Sequence, residues 1–182
     1  MPVTPATFFQ LASIAKTFTS TAILQLVEQG KVELDAPVTK YLPYFALADG
    51  REGEITVRHL LTHTSGLPDN SWTDMSPYLE ARDDEMALED HVRSAREVSL
   101  LFDPGAKFEY TSFGYDVLGD IVAKVSGQPF EEYVAEHVFT PLGMDHSTLL
   151  LGDVDPKALA MPHVPGADGQ AVASDIFPYT RS

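Results

Sequence analysis

Ser13 and Lys16 stand three residues apart in Ser13-Ile14-Ala15-Lys16. On a helix that spacing puts both on one face, so the lysine amine can approach the serine hydroxyl. Ile14, Phe18, Ala22 and Leu26 recur at every fourth position, with Ala15, Ile23, Leu24 and Val27 between them. This pattern predicts a helix over 13–29, ended by Gly30. The helix is apolar around most of its circumference, which marks it as buried. A lysine withdrawn from water is driven towards its neutral form. A first-turn serine sits where the helix dipole and free N–H groups favour negative charge. Together these features would make a serine nucleophile that needs no histidine. The competing account is plainer, with Ser13 an ordinary N-cap and Lys16 a lysine that snorkels to the surface.

Tyr110-Thr111-Ser112 is the second group with chemical potential. A tyrosine just before a buried helix can project into a cleft, and beside a lysine ammonium its phenol gives up its proton more easily and can act as a base. Against this stands the core tyrosine whose hydroxyl is simply satisfied. The apolar stripe Phe113, Val117, Leu118, Ile121, Val122 and Val125 predicts a helix within 110–127, with Ser112 as its N-cap and Gly127 as its stop.

Other elements must hold these two segments in place. Asp35 is a candidate N-cap for a short helix ending at Leu42. Glu54-Ile55-Thr56-Val57 reads as a short extended piece, and Thr56 is also a candidate cap for a helical turn over 57–63, ended by Gly66 and Pro68. Residues 69–98 are acidic and read as a solvated lobe with a helix near 85–96, a wet face rather than a metal site. Asp103-Pro104-Gly105 predicts a turn, 129–139 an amphipathic helix, and 148–151 and 171–177 short β-like runs.

Composition bounds the function. The 182 residues suffice for one domain, and 44% hydrophobic with 21% charged residues is globular. A net charge of −15 repels phosphate backbones, so nucleic acid is not an expected partner. The lack of cysteine excludes disulfides, thiolate metal sites and a cysteine nucleophile. No apolar run reaches membrane-span length, and Met1-Pro2-Val3-Thr4-Pro5 shows no signal-peptide pattern.

Five segments, in order, carry a family resemblance. They are Phe9-Gln10-Leu11-Ala12-Ser13-Ile14-Ala15-Lys16-Thr17-Phe18-Thr19, Gly30-Lys31-Val32-Glu33-Leu34-Asp35 with Tyr41-Leu42-Pro43, Leu60-Leu61-Thr62-His63-Thr64-Ser65-Gly66-Leu67-Pro68, Pro104-Gly105 through Tyr110 and Gly114-Tyr115, and Pro141-Leu142-Gly143-Met144. The chain resembles the β-lactamase-related serine hydrolases, which include class C β-lactamases, D-Ala-D-Ala carboxypeptidases and Ser-x-x-Lys esterases. The resemblance implies an α+β fold, and for 1–182 a single partial domain that is mainly the helical part. In that domain 13–29 is the nucleophile helix, 69–98 the acidic helical lobe, 110–127 the Tyr-motif helix and 145–182 a short β-like tail. Most of the flanking antiparallel sheet would lie outside the chain, truncated at both ends.

By the same resemblance Ser13 would be the acylated nucleophile, Lys16 and Tyr110 would shuttle its proton, and the Ser13 N–H would give half of the oxyanion hole. Ser112 stands where the family has Asn and would face the substrate, favouring small esters over β-lactams and peptides. His63 would lie in a structural loop. The substrate would be a small ester, amide or β-lactam, with no cofactor and no metal. The family's third motif, Lys-Thr-Gly or His-x-Gly on a strand, is not found, since His63-Thr64-Ser65-Gly66 and His163-Val164-Pro165-Gly166 have the wrong spacing and neither is expected on a strand. Without the sheet, Phe18, Ile23 and Leu26 would be left uncovered, so the chain is expected to hydrolyse weakly and to self-associate through that helix face. The non-catalytic alternative is a relative that binds peptidoglycan-like ligands or protein partners. The compartment stays open, as family members are often periplasmic or secreted and some are cytoplasmic.

Overall fold

The computed structural model describes residues 3–69, 84 and 86–174. Residues 70–83 and 85 of the acidic stretch 69–98, and 175–177 of the run at 171–177, lie outside the described residues.

The periodic segment after Leu11 folds in two pieces, a 3-10 turn Ala12–Ala15 and helix α1 (Lys16–Glu28). Ser13 therefore sits in the tight entry turn and not at an N-cap. Gly30 ends the helix with φ 70°, its N–H bonded to the Val27 carbonyl. Thr19, Ala22, Ile23 and Leu26 are buried. This corrects the expected exposed face: Ile23 and Leu26 have no exposure at all, and Phe18 packs edge-on against Phe139 with ring centroids 5.1 Å apart. The apolar residues that do reach solvent there are Ile14 and Leu24.

Helix α2 (Val57–Leu61) begins at Thr56 as expected. The Thr56 hydroxyl accepts the His59 N–H, and His59 Nδ1 accepts the Thr56 N–H, each at 3.2 Å. Asp35 does not cap a helix. Its carboxylate takes both Arg58 donors at 2.6 and 2.9 Å, and only a 3-10 turn, Val38–Lys40, forms before Leu42. Helix α3 (Ala87–Arg93) continues into a 3-10 turn, Ser94–Glu97. Helix α4 (Phe113–Ser126) ends at Gly127 in the left-handed region. Helix α5 (Phe130–Val134) runs into a π-helical turn, Ala135–Phe139, and Gln25 of α1 donates to the His137 carbonyl there at 2.9 Å.

Helix α4 is the hub, packing against α1, α2, α3 and α5. Val117, Leu118, Ile121 and Val122 on it are wholly buried. At about 1.5–3 kcal/mol for each buried aliphatic side chain, this burial holds α4 among its neighbours. One carboxylate enters the same interior. Asp120 accepts the Tyr44 hydroxyl at 2.6 Å, and burial holds it above its ordinary range.

The strands among the described residues form one antiparallel hairpin, β1 (His163–Pro165) with β2 (Ala171–Ala173), in register Val164 to Val172. The 163–165 segment is thus a strand, contrary to expectation. The 148–151 run is not: Thr148 Oγ1 donates to Asp153 and accepts the Leu150 N–H, making a local turn in place of a ladder.

Two loops complete the frame. The loop after α2 lies along the segment before α4, with Thr64 bonded to Gly105, Gly66 to Leu101 and His63 to Glu109 through their main chains. Gly66 has φ 80°, and a Cβ there would lie 2.5 Å from the Phe102 carbonyl oxygen, so this contact admits only glycine.

Candidate active site

The packing of α1 on α4 brings Ser13, Lys16, Tyr110 and Ser112 together. Ser13 Oγ and Tyr110 OH are 2.7 Å apart, a short hydroxyl hydrogen bond. Lys16 Nζ donates to Ser112 Oγ at 3.4 Å and lies 5.1 Å from the Tyr110 ring centroid and 5.5 Å from that of Tyr115. The short partner of Ser13 is thus the tyrosine, while the lysine amine points to Ser112 between two aromatic faces. Ala12 has φ 46°, a strained conformation for an alanine, and it turns the chain sharply just before Ser13. Ser13 is exposed and Tyr110 partly buried, so the hydrogen-bonded pair opens outwards.

Burial raises the Tyr110 phenol, but hydrogen bonds from Lys16 and Ser13 and the Lys16 charge outweigh it, and the net effect is a value below that of an ordinary phenol. A phenol so placed is a better base towards a serine hydroxyl at neutral pH.

Ser112 was expected to cap α4. Its side chain makes no capping bond. Thr111 performs that task one residue earlier: its Oγ1 accepts the Gly114 N–H at 3.4 Å and donates to the Pro68 carbonyl at 3.2 Å. The Ser112 hydroxyl is thereby left facing Lys16.

His63 lies against this group, ring stacked on Tyr110 at 4.6 Å between centroids and tilted towards Tyr115 at 5.1 Å. Its Nδ1 accepts the Thr111 N–H at 3.3 Å. Burial first, and then the charge of Lys16, push its imidazole below the usual histidine range, while Asp69 pulls the other way. The contacts of His63 and Tyr115 were not foreseen from sequence. A histidine between two threonines gives no local signal, and the place of Tyr115 one turn into α4 becomes visible only once Lys16 is docked there.

The beta-lactamase family profile matches residues 1–181. The chain is 37% identical over 178 residues to the esterase EstB of Burkholderia gladioli, covering 91% of this chain and 44% of that protein. It is 36% identical over 143 residues to a putative penicillin-binding protein, PbpX, of Bacillus subtilis, covering 79% of this chain and 33% of the relative. Among solved structures, EstCE1, a hydrolase with promiscuous acyltransferase activity, superimposes with a TM-score of 0.81 at 32% identity, over 96% of this chain and 47% of its own. The D-amino acid amidase of Ochrobactrum anthropi SV3 gives 0.74 at 29% identity, over 98% and 50%. The chain spans about half the length of these relatives, or less. By profile, sequence and fold alike, this chain belongs to the beta-lactamase family.

Proposed function

We propose that this chain carries the nucleophile and base of an acyl-transfer serine hydrolase acting on small esters or amides. The observation that supports it most directly is the 2.7 Å contact between Ser13 Oγ and Tyr110 OH. In this reading the Tyr110 phenolate accepts the Ser13 proton as Oγ bonds to the substrate carbonyl carbon. The carbonyl electron pair moves onto its oxygen, where the Ser13 N–H is one of the donors. The tetrahedral species then expels the alcohol or amine, which takes its proton back from Tyr110. Water repeats the sequence on the Ser13 ester, with Tyr110 again the base, and releases the acid. Lys16 favours the phenolate and passes protons with it.

Esters are the favoured substrates because Ser112 is too short to hold an amide side chain as an asparagine would. The esterase name of the Burkholderia gladioli relative agrees with this reading. The test is covalent labelling. A fluorophosphonate probe is expected to modify Ser13, with no modification in Ser13→Ala and a rate lowered by about 10²–10⁴-fold in Lys16→Ala. Undiminished labelling of Ser13→Ala, or none of the parent chain, would overturn the proposal, and the latter result would favour a non-catalytic binding role.

A further inference from the structure

His63 touches the stretch that carries the proposed base in three ways. Its carbonyl accepts the Glu109 N–H at 2.8 Å, on one side of Tyr110. Its Nδ1 accepts the Thr111 N–H at 3.3 Å, on the other side. Its ring lies on the Tyr110 ring, 4.6 Å away and 30° from parallel. A residue that only shaped its own loop would need none of the last two.

The backbone agrees. Among the described residues, two that are not glycine have positive φ, Ala12 at 46° and His63 at 54°. One precedes the nucleophile and the other grips the base. Strained residues persist where the surroundings over-determine them, and they gather at working sites.

We propose that His63 is a positioning residue for Tyr110, holding the phenol against Ser13 through a neutral imidazole whose Nδ1 must stay unprotonated. The inference rests on Ser13 and Tyr110 acting as nucleophile and base. It follows that acid releases the clamp. A proton on Nδ1 would turn the Thr111 N–H contact from attraction to repulsion and set a second cation near Lys16. The groups facing the imidazole are Lys16 from α1, Tyr110 from the segment before α4, Tyr115 from α4 and Asp69 from the following loop. Of these Lys16 opposes protonation and Asp69 favours it, and burial decides for the neutral form. The sign is therefore fixed: the clamp is intact above the lowered histidine value and is lost as pH falls through it.

Two variants separate ring from acceptor. His63→Phe keeps a stacking ring and loses Nδ1. His63→Asn keeps a left-handed backbone and an acceptor oxygen but loses the ring. The first readout is titration of Tyr110 by NMR of tyrosine labelled at the ring carbon bearing oxygen, assigned with Tyr110→Phe. We expect Tyr110 to titrate below an ordinary phenol in the parent, closer to one in His63→Phe, and as an ordinary phenol in His63→Asn. The second readout is the pH profile of Ser13 labelling by the fluorophosphonate. The parent should fall with slope one below the tyrosine value and slope two below the histidine value, whereas His63→Phe should keep slope one throughout. At pH 8, His63→Asn should label about 10²-fold more slowly, the cost of a base misplaced by about 1 Å. An unchanged Tyr110 titration in both variants would overturn the proposal, whatever their melting temperatures. The titration needs no turnover, so it decides about the clamp separately from failure of Ser13 to label, which would instead overturn the nucleophile assignment.

Discussion

Under the proposed function, the reach of Ser112 sets what the site can hold. Its hydroxyl is engaged by Lys16 at 3.4 Å, and α4 is capped by Thr111 instead. Short p-nitrophenyl esters are therefore expected to react faster than nitrocefin. Ser112→Asn should narrow that ratio by about tenfold, the worth of one added hydrogen bond to an amide side chain. A ratio that begins in favour of nitrocefin would sink this reading, and kcat/KM for the two substrates measures it. Ser13, Lys16, Tyr110 and Ser112 could all be picked out from residue type, spacing and family resemblance. Which of Lys16 and Tyr110 meets Ser13 could not. That depends on the left-handed Ala12 and the 3-10 turn after it, and nothing about an alanine announces either. The cap of α4 lies one residue before the expected Ser112 because serine is by type the better cap of the two, and the contact of Thr111 with Pro68 is not visible in sequence.

The elements with strong apolar periodicity were legible, and those shaped by polar side chains were not. Helices α1 and α4 follow their stripes and stop at Gly30 and Gly127. The Thr148 turn, the Asp35–Arg58 pair and the strand at His163–Pro165 depend on partners that periodicity does not reveal. The loop after α2 shows how such a partner can matter. Gly66 meets the Phe102 carbonyl so closely that any Cβ must displace it, and its φ of 80° adds strain for an L-residue. Gly66→Ala should cost at least about 2 kcal/mol, from backbone strain and overpacking together. A lowered urea midpoint at unchanged m-value would report it, and an unchanged midpoint would show that the loop yields freely. The same variant should slow Ser13 labelling, since His63 rides on this loop.

At the scale of the whole molecule, the helical core closes without the residues that were expected to remain bare, but an apolar lead-in stays outside it. Phe9, Leu11, Ile14 and Leu24 are 55%, 46%, 61% and 50% exposed. The chain is expected to bind a hydrophobic dye and to grow in mass with concentration by light scattering. A net charge of −15 opposes that growth, so it should be stronger in 0.5 M salt than at low salt. A single mass at every concentration and salt would refute self-association, and Leu24→Glu should lower dye binding if α1 takes part. The distance in sequence between Ser13 and Tyr110, 97 residues, has a further consequence during synthesis. The serine leaves the ribosome first and waits roughly 5–20 s for its tyrosine at ordinary rates of translation. Until Tyr110 emerges and α4 docks, the nascent chain lacks the Ser13–Tyr110 hydrogen bond. Under the proposed mechanism, Ser13 thus gains its base only with the long-range contact that completes the fold.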